Sequence, residues 1–268
     1  KGRPIDMGPH IYHTPDDDIK NYLLTEFEGL FHERDHWAKN FKNGKFYDYP
    51  ISREFINSLP KKTSDKINNE LAQANPDDLS KANNYYEYTK ALAGDTLQEL
   101  FFTKYPEKLW GIPTKELDAN WAPKRVQITE ERRAFYQDQW SAVGNEGSGT
   151  ILGCLEKKVL DLGGTINLKE TIKNIQLSNN NNINKIVTDK RDINLMPKDI
   201  VINTTSCTNF SRFLGFETNL KYRGVILVML ELSTAKVLPK GVDFIYIDDE
   251  EIFFNRVSDQ NSFIKDPS

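Results

Sequence analysis

The sequence predicts a protein of the α/β to α+β class, in which a sheet core is interrupted by a mostly helical insertion. Short runs of apolar and β-branched residues occur toward both ends of the 268-residue chain, and such runs are typical of strands. Between them, apolar residues recur at the spacing of a helix. The sequence contains no internal repeat. We therefore expect four consecutive segments with bounds at 1–51, 52–143, 144–206 and 207–268.

Bulk composition excludes two classes of protein. The net charge is −4 and the isoelectric point is about 5.7, so the chain lacks the basic footprint of a nucleic-acid binder. Its longest apolar stretch, Val225 to Leu230, is far shorter than the ~18 residues of a membrane span. Two distant cysteines, Cys154 and Cys207, indicate reduced thiols, and we expect a cytoplasmic protein. The chain opens at Lys1 without Met, from which we expect a segment cut from something longer.

The first segment combines a strand, a helix and a hairpin. Residues 5–13 are predicted to form a short strand that runs into a Gly-Pro turn, and a helix is predicted over 16–25. Asn43-Gly44, the strongest short-range signal for a hairpin, lies between the apolar runs 31–41 and 46–51. The sequence therefore predicts two strands joined at this dipeptide.

The helical insertion extends from about Ser52 to about Trp140. Leu97, Leu100 and Phe101 illustrate the helical spacing of its apolar residues. Prolines punctuate the region. We expect a mostly helical subdomain.

The remaining half of the chain returns to strands after one more helix. Ile151, Leu155 and Val159 define the face of that helix, and Gly163-Gly164 predicts its C-terminal end. Further strands are predicted over 166–168, 172–177, 183–188, 200–204, 225–232, 244–247 and 252–257.

A zinc-protease signature is present, but its structural context is wrong. His32 to His36 matches H-E-x-x-H, in which the two histidines share one face of a helix and bind one zinc ion. Here the segment leads into the Asn43-Gly44 hairpin and is predicted to be a strand. Histidines four residues apart on a strand are separated by roughly 13 Å, so we expect no metal site.

Two glycine-containing turns are candidates for contact with a ligand. Gly144 to Gly149 precedes a helix, and backbone N–H groups at the start of a helix can hold an anion. The spacing does not match the dinucleotide motif G-x-G-x-x-G, which leaves a tight turn near a ligand as the functional hypothesis. Gly8-Pro9 is followed by His10 and His13. These histidines are either partly buried and hydrogen-bonded, or His10 lies beside an electron-poor ring or a substrate hydroxyl.

Aromatic and cationic residues cluster at two places in the helical insertion, Tyr105 to Gly111 and Asn120 to Arg125. One interpretation is ordinary packing with lysine stems along the apolar surface. The other is stacking on a planar group and binding of an anion. The acidic run Asp248 to Glu251 is predicted to be a solvated turn rather than a cation site.

Taken in order, these segments resemble the FAD-dependent amine oxidase superfamily, in particular its protoporphyrinogen-oxidase-like and UDP-galactopyranose-mutase-like members. The resemblance covers almost the whole chain. IDMGPHIYHT and KNGKFYDYPI resemble segments that follow the family's first nucleotide-binding unit, and DIVINTTS resembles part of its FAD domain. The most specific match is KYPEKLWGIPTKELDANWAPKRV. Leu220 to Arg223 and Phe254 to Val257 resemble its substrate-side sheet.

The resemblance implies a flavoprotein fold and an FAD cofactor. Segment 1–51 would hold strands of the FAD domain and of the substrate side, and 144–206 would be part of an FAD-binding domain with a mixed sheet. Segment 52–143 would be the helical substrate or cap domain, and 207–268 a substrate-side antiparallel sheet. His10 would be the catalytic group beside the isoalloxazine. The implied cofactor contacts are Gly8, Pro9, His10, Gly147 and Ile172, and the implied substrate contacts are Tyr105, Trp110, Arg125, Arg223 and Arg256.

The implied function is that of an FAD-dependent oxidoreductase acting on a small molecule or a sugar nucleotide. The alternatives are a redox-neutral mutase of the UDP-galactopyranose type and a non-catalytic binding or scaffold protein. The family's G-x-G-x-x-G turn and its later Gly-Asp segment do not occur in the sequence. We therefore expect an internal fragment that is inactive by itself and binds FAD weakly or not at all.

One position separates this chain from the best-known mutases of the family. Those mutases carry a second arginine four residues after the Arg125 position, and this chain has Thr129 there. A charge-assisted hydrogen bond to a diphosphate contributes ~1.5–3 kcal/mol. Its loss argues against UDP-galactopyranose as the substrate.

Overall fold

The computed structural model describes residues 6–8, 10–124, 126–234 and 237–265. They form two compact units, one of Lys1–Cys154 with Met229–Ser268 and one of Leu155–Val228. The strands are β1 (Tyr12–Thr14), β2 (Phe31–Glu33), β3 (Ala38–Lys42), β4 (Lys45–Tyr49), β5 (Ile51–Ser52), β6 (Ile128–Thr129), β7 (Trp140–Gly144), β8 (Ile172–Leu177), β9 (Ile183–Thr188), β10 (Asp192–Asn194), β11 (Phe244–Ile247) and β12 (Arg256–Ser258). The α-helices are α1 (Asp17–Glu26), α2 (Arg53–Ser58), α3 (Lys61–Ala72), α4 (Pro76–Ser80), α5 (Tyr85–Leu97), α6 (Lys104–Trp110), α7 (Ser148–Asp161) and α8 (Cys207–Phe213).

The first unit contains a four-stranded mixed sheet in the order β12-β11-β3-β4. β3 and β4 are antiparallel and are joined by Asn43 and Gly44, whose φ angles are 51° and 72°. A two-residue hairpin turn of this kind requires positive φ at both positions, so the predicted hairpin is confirmed. β11 pairs with β3 in parallel, and β12 pairs with β11 in the antiparallel direction. This combination of helices with mixed and antiparallel sheets confirms the predicted fold class.

A second sheet of this unit has the order β1-β7-β2 and corrects two predictions. The predicted single strand over 31–41 is wrong, because β2 pairs with β7 and the chain then leaves the sheet before β3. There, the Trp37 N–H donates to the Asp243 carboxylate at 2.9 Å instead of to a neighbouring strand. The predicted strand over 5–13 is also wrong in order, since the turn at Gly8 comes first and β1 starts at Tyr12.

The predicted helices near the N-terminus and in the insertion are confirmed. α1 begins after Asp16, whose carboxylate accepts hydrogen bonds from the N–H groups of Asp18 and Ile19. Helices α2 to α6, together with a π-helical turn and two 3-10 turns, make up most of the insertion. Their shared core contains Ile51, Ile56, Ile67, Tyr85, Ala93, Leu97, Phe101 and Phe102.

Helix α5 is interrupted shortly before the segment that leads into α6. Gly94 has a φ of 76°, and a Cβ atom there would lie 2.6 Å from the side chain of Glu70. Glu70 accepts hydrogen bonds from the N–H and the hydroxyl of Thr96 at 2.8 and 2.7 Å, so it caps the part of the helix after the break. A π-helical turn, Gln98–Phe102, then precedes α6.

The second unit contains an antiparallel sheet in the order β10-β9-β8 and the short helix α8. The predicted strands over 172–177 and 183–188 are confirmed. Helix α7 is also confirmed; it begins in the first unit, continues into the second and ends before Gly163, whose φ is 80°. Both cysteines are free thiols.

Three predicted strands are wrong. Residues 166–168, 200–204 and 225–232 adopt no regular structure, and Ile226 is 93% exposed. The physical reason is that a strand needs a neighbour to satisfy its backbone N–H and C=O groups, and in the described part of the chain no strand pairs with these segments. In the first unit, 244–247 is confirmed as β11, whereas the strand predicted over 252–257 starts only at Arg256.

Candidate functional site

One face of the mixed sheet carries aromatic side chains and an arginine. Along β11, Phe244 and Tyr246 lie on one face, and Ile245 and Ile247 pack in a different cluster on the other. Arg256 of β12 is the cross-strand partner of Tyr246 and therefore lies on the same face. Its guanidinium carbon is 5.9 Å from the centre of the Phe244 ring.

Tyr246 contacts aromatic rings from other elements. Its ring centre lies 5.2 Å from that of Tyr49 on β4 and 4.9 Å from that of Tyr105 on α6. The helical insertion therefore reaches the sheet at this point. We call Tyr49, Tyr105, Phe244, Tyr246 and Arg256 the aromatic face. Tyr105 and Arg256, two of the predicted substrate residues, both neighbour Tyr246 on it.

Trp110 lies at the C-terminal end of α6, which stops at Gly111 because that residue has a left-handed φ of 69°. The Trp110 side chain is 36% exposed, and its ring meets that of Trp121 edge to face at 5.6 Å. Trp121 in turn contacts Tyr85 of α5 at 5.1 Å. The two aromatic motifs of the insertion therefore meet at the end of α6.

The chemistry of the aromatic face suits a ligand with a planar ring and a negative charge. Tyr105 and Tyr246 are partly buried, so their rings are held by packing and still present surface to solvent. Arg256 is exposed, and a guanidinium offers paired donors to a phosphate or carboxylate. Sequence reasoning missed Tyr246 and Tyr49, although the apolar run 244–247 was predicted to be a strand.

Asp248 follows β11 and is only 3% exposed, so the prediction of a solvated turn is wrong for this residue. Burial raises the pKa of its carboxyl to about 7, although nearby Lys42 and Lys108 act in the opposite direction. Among the described residues, no group donates a hydrogen bond to either of its carboxylate oxygens. Asp249, the next residue, accepts a hydrogen bond from the Asn43 N–H at 2.6 Å.

The two lysines near Asp248 donate to backbone carbonyls. Lys108 Nζ donates to the carbonyl oxygens of Ile247 and Asp249 at 3.1 and 3.0 Å. Lys42 Nζ donates to the carbonyl oxygens of Glu99 and Leu100 at 3.2 and 2.6 Å. Burial also lowers the pKa of Lys108. No signal in the sequence marked Asp248 as buried, apart from its position directly after an apolar strand.

The residues predicted at the cofactor belong to different segments of the chain. Gly8 is buried with a φ of 100°, and His10 is exposed. Ile172 begins β8 in the second unit, where it pairs with Thr188. Pro9 lies outside the described residues.

The other two predicted substrate arginines are not among the described residues of the first unit. Arg125 lies outside the described residues. Arg223 belongs to the second unit and is exposed.

The glycine-rich turn before α7 is closed by a side chain of the protein itself. Gly147 has a φ of 86°, and a Cβ atom there would lie 2.8 Å from the Asp6 carboxylate. Asp6 accepts hydrogen bonds from the Ser148 N–H at 3.0 and 2.9 Å, and its carbonyl accepts from the Gly8 N–H at 2.6 Å. Gly8 and Gly147 are therefore linked through Asp6. An FAD diphosphate does not fit at this helix start, because the capping carboxylate takes the position of an anion.

The H-E-x-x-H histidines are held by separate contacts. His32 lies on β2 opposite Val143, and His36 lies after the strand, fully buried and stacked on Phe263 at 5.1 Å. His36 Nδ1 is 3.4 Å from Asp243 Oδ2. Among the described residues, no three His, Cys, Asp or Glu side chains are grouped as a metal site. No helix in the described ranges is long and apolar enough to cross a membrane.

Comparison with known proteins gives matches to sugar-nucleotide mutases. The chain is 27% identical to the dTDP-fucopyranose mutase of Escherichia coli over 135 residues, which make up 50% of this chain and 34% of that protein. It is 28% identical to a probable UDP-galactopyranose mutase of Klebsiella pneumoniae over 115 residues, 42% of this chain and 29% of that one. The matched segments thus span about a third of these relatives. No protein-family model matches the chain.

A solved structure extends the similarity to the whole fold. The crystal structure of reduced UDP-galactopyranose mutase matches with a TM-score of 0.68 over 97% of this chain and 60% of that chain, at 15% sequence identity. The chain therefore shares the fold of this mutase structure over almost its whole length. The resemblance to amine oxidases and protoporphyrinogen oxidases stays a prediction.

Proposed function

We propose that this chain forms the substrate-binding part of an FAD-dependent mutase that acts on a nucleotide sugar. The observation that carries the proposal is the aromatic face, where Tyr105 from the helical insertion and Arg256 from the sheet both neighbour Tyr246. The names of the two relatives, both sugar-nucleotide mutases, favour this function over the expected oxidoreductase.

Each residue has a distinct task in this proposal. Tyr105 and Trp110 bind the nucleotide base through their rings, and Tyr246 holds Tyr105 in place by edge-to-face packing. Arg256 binds the diphosphate, and Arg125 is a further candidate for that role; the substrate contact predicted for Arg223, in the second unit, stays a prediction. FAD would supply the bond-making chemistry, whereas the residues of this chain bind and orient the sugar.

The proposal also includes contacts to the flavin. His10 is proposed as the group beside the isoalloxazine, with Gly8 and Pro9 as backbone contacts. The contact predicted at Gly147 is not carried into the proposal, because Asp6 caps that turn, and the contact predicted at Ile172, in the second unit, stays a prediction. The capped start of α7 supports the expectation that the chain binds FAD weakly or not at all. A stoichiometric flavin absorbance band in the purified 268-residue protein would overturn that expectation.

The sugar is proposed to differ from galactopyranose. Thr129 lies on β6, and its hydroxyl donates to the carbonyl of Glu131 at 2.9 Å, so this position offers a neutral group rather than a second cation. The E. coli relative is named for a dTDP sugar. We therefore include dTDP-sugars as well as UDP-sugars in the substrate class.

Titration calorimetry with UDP and dTDP tests the binding half of this proposal. Tyr105→Ala and Arg256→Ala are each expected to weaken binding by about tenfold or more, since ~1.4 kcal/mol corresponds to a factor of ten. Arg53→Ala is the matched control, because this exposed arginine pairs only with the surface residue Glu130 among its described contacts, at 3.3 Å. It is expected to leave affinity unchanged.

Three outcomes would reject the proposal or redirect it. Absence of saturable binding for both nucleotides, or an equal loss in Arg53→Ala, would reject the aromatic face as a nucleotide site. Nucleotide binding without any flavin-dependent isomerisation, measured in a longer gene product that binds FAD, would favour the binding or scaffold alternative.

A further inference from the structure

We propose that Lys108 is a positioning residue that holds α6 against the end of β11, and that the charge on Asp248 controls how tightly α6 is held and so the placement of Tyr105 and Trp110. The inference rests on the proposed function of the aromatic face. It assigns a role to a half-buried lysine and a buried carboxylate that neither the nucleotide nor the flavin would need to touch.

The first argument is the position of Lys108 within α6. It lies between Tyr105 and Trp110 on a helix of seven residues. Its ammonium group donates to the carbonyl oxygens on either side of Asp248. The backbone at the end of β11 therefore holds the ammonium group of Lys108 through two carbonyl oxygens. Movement of α6 away from the sheet would break both hydrogen bonds.

The second argument is the charge environment of Asp248. The groups that face it are Lys42 from β3, Lys108 from α6, the adjacent Asp249 and Tyr85 from α5. Burial and the nearby Asp248 raise the pKa of Tyr85, so its hydroxyl stays neutral. Both lysines already donate to carbonyls, and so the Asp248 carboxylate is left without hydrogen bonds from the described residues.

The third argument concerns protons. For Asp248, burial outweighs the attraction of the two lysines, and its pKa lies at about 7 when α6 is packed. If α6 moves away, water reaches the carboxylate and the pKa returns toward its ordinary value. The Asp248 carboxyl therefore takes up a proton when α6 packs against the sheet near neutral pH. Consequently, α6 is held more tightly at pH 6 than at pH 8.

Hydrogen exchange of the peptide covering Lys104–Trp110, corrected for intrinsic rates, measures this packing directly. In the unaltered protein we expect about tenfold lower protection at pH 8 than at pH 6, because coupling to one proton changes the opening equilibrium by up to tenfold per pH unit below the packed pKa and not at all well above it. In Asp248→Asn, which keeps the size of the side chain, we expect equal protection at both pH values.

The matched control is Glu250→Gln, which removes an exposed contact between the same loop and the same helix, the Lys104–Glu250 pair. It should retain the pH dependence. Lys108→Met is expected to lower protection of α6 at both pH values, and Lys108→Arg should restore part of it. If Asp248→Asn keeps the pH dependence, or if Lys108→Met leaves protection unchanged, the inference is overturned.

A binding experiment separates this inference from the proposed function. The dissociation constants of UDP and dTDP are compared between the unaltered protein and Asp248→Asn at each pH, so that titration of the nucleotide phosphate cancels. We expect the unaltered protein to bind more weakly at pH 8 relative to the variant, and equally at pH 6. If the exchange results hold and neither nucleotide binds at any pH, the positioning role stands and the proposed function fails.

Discussion

The two ends of β11 carry aspartates that are equally buried and have opposite pKa shifts. Asp243 precedes the strand and is 5% exposed, and Asp248 follows it and is 3% exposed. The pKa of Asp243 lies below its ordinary value, whereas that of Asp248 is raised to about 7. Burial alone therefore does not decide the charge state of a carboxyl group in this sheet.

The difference lies in the hydrogen-bond donors. Burial by itself would raise the pKa of Asp243, but the polar groups around it, His36, the Trp37 N–H, Ser262 and Arg34, outweigh burial. Arg34 Nη2 lies 3.1 Å from its carboxylate. At the other end of β11, the lysines donate to carbonyl oxygens instead. Asp243 therefore keeps its negative charge near neutral pH, whereas Asp248 can gain or lose a proton there.

Asp243→Asn should produce the largest effect on stability. The variant removes the charged acceptor of Arg34 and weakens the hydrogen bond of the Trp37 N–H, and breaking a buried charge pair costs about 3 kcal/mol. Because the pKa of Asp243 is lowered, its stabilisation is present above the ordinary carboxyl pKa and is lost as the pH falls through the folded-state pKa. Urea unfolding at pH 8 should show the full loss, and the loss should shrink near pH 3. Equal stability of the two proteins at pH 8 would contradict the comparison.

Asp248→Asn should raise the free energy of unfolding at pH 8, by somewhat less than Asp243→Asn lowers it. Because its pKa is raised to about 7, the protonated form stabilises the fold, and that stability is present below the unfolded pKa and lost as the pH rises through 7. At 1.36 kcal/mol per pKa unit, the raised pKa of Asp248 lowers stability at pH 8 by at most about 4 kcal/mol, which is the upper bound on the gain in the variant. A buried amide without partners cancels part of it, and we expect a gain of about 1–3 kcal/mol at pH 8. The gain should vanish near pH 4 in the same urea experiments; a loss of stability at pH 8 would show that the carboxylate has partners.

Features with local signals were predictable from the sequence. The Asn43-Gly44 hairpin, α1 and the end of α7 each depend on residues within one or two turns of the chain. The parallel pairing of β11 with β3 was not predicted, because segments from opposite halves of the sequence meet there. The same holds for the pairing of β2 with β7.

Two apolar runs show most directly what could not be predicted from the sequence. Residues 225–232 and 244–247 are both strongly apolar, and a strand was predicted for each. Only the second has neighbours on both sides in the described structure, and it is largely buried, whereas Ile226 is 93% exposed. For the candidate site, the resemblance singled out Tyr105 and Arg256 separately. Tyr246, which contacts Tyr105 and pairs with Arg256, depends on strand register and has no local signal.

Glu250→Gln should have the smallest effect on stability, and it tests whether an exposed charge pair helps to hold α6. Glu250 pairs with Lys104 at 3.0 Å, and both side chains are largely in solvent. An exposed pair of this kind contributes less than about 0.5 kcal/mol and is weakened further by salt. We expect unchanged urea unfolding and unchanged exchange of α6 in this variant, at low and high salt. If it loosened α6 as much as Lys108→Met does, the exposed charge pair rather than the half-buried Lys108 would hold the helix. The contrast between the two ends of β11 would then have no connection to the aromatic face.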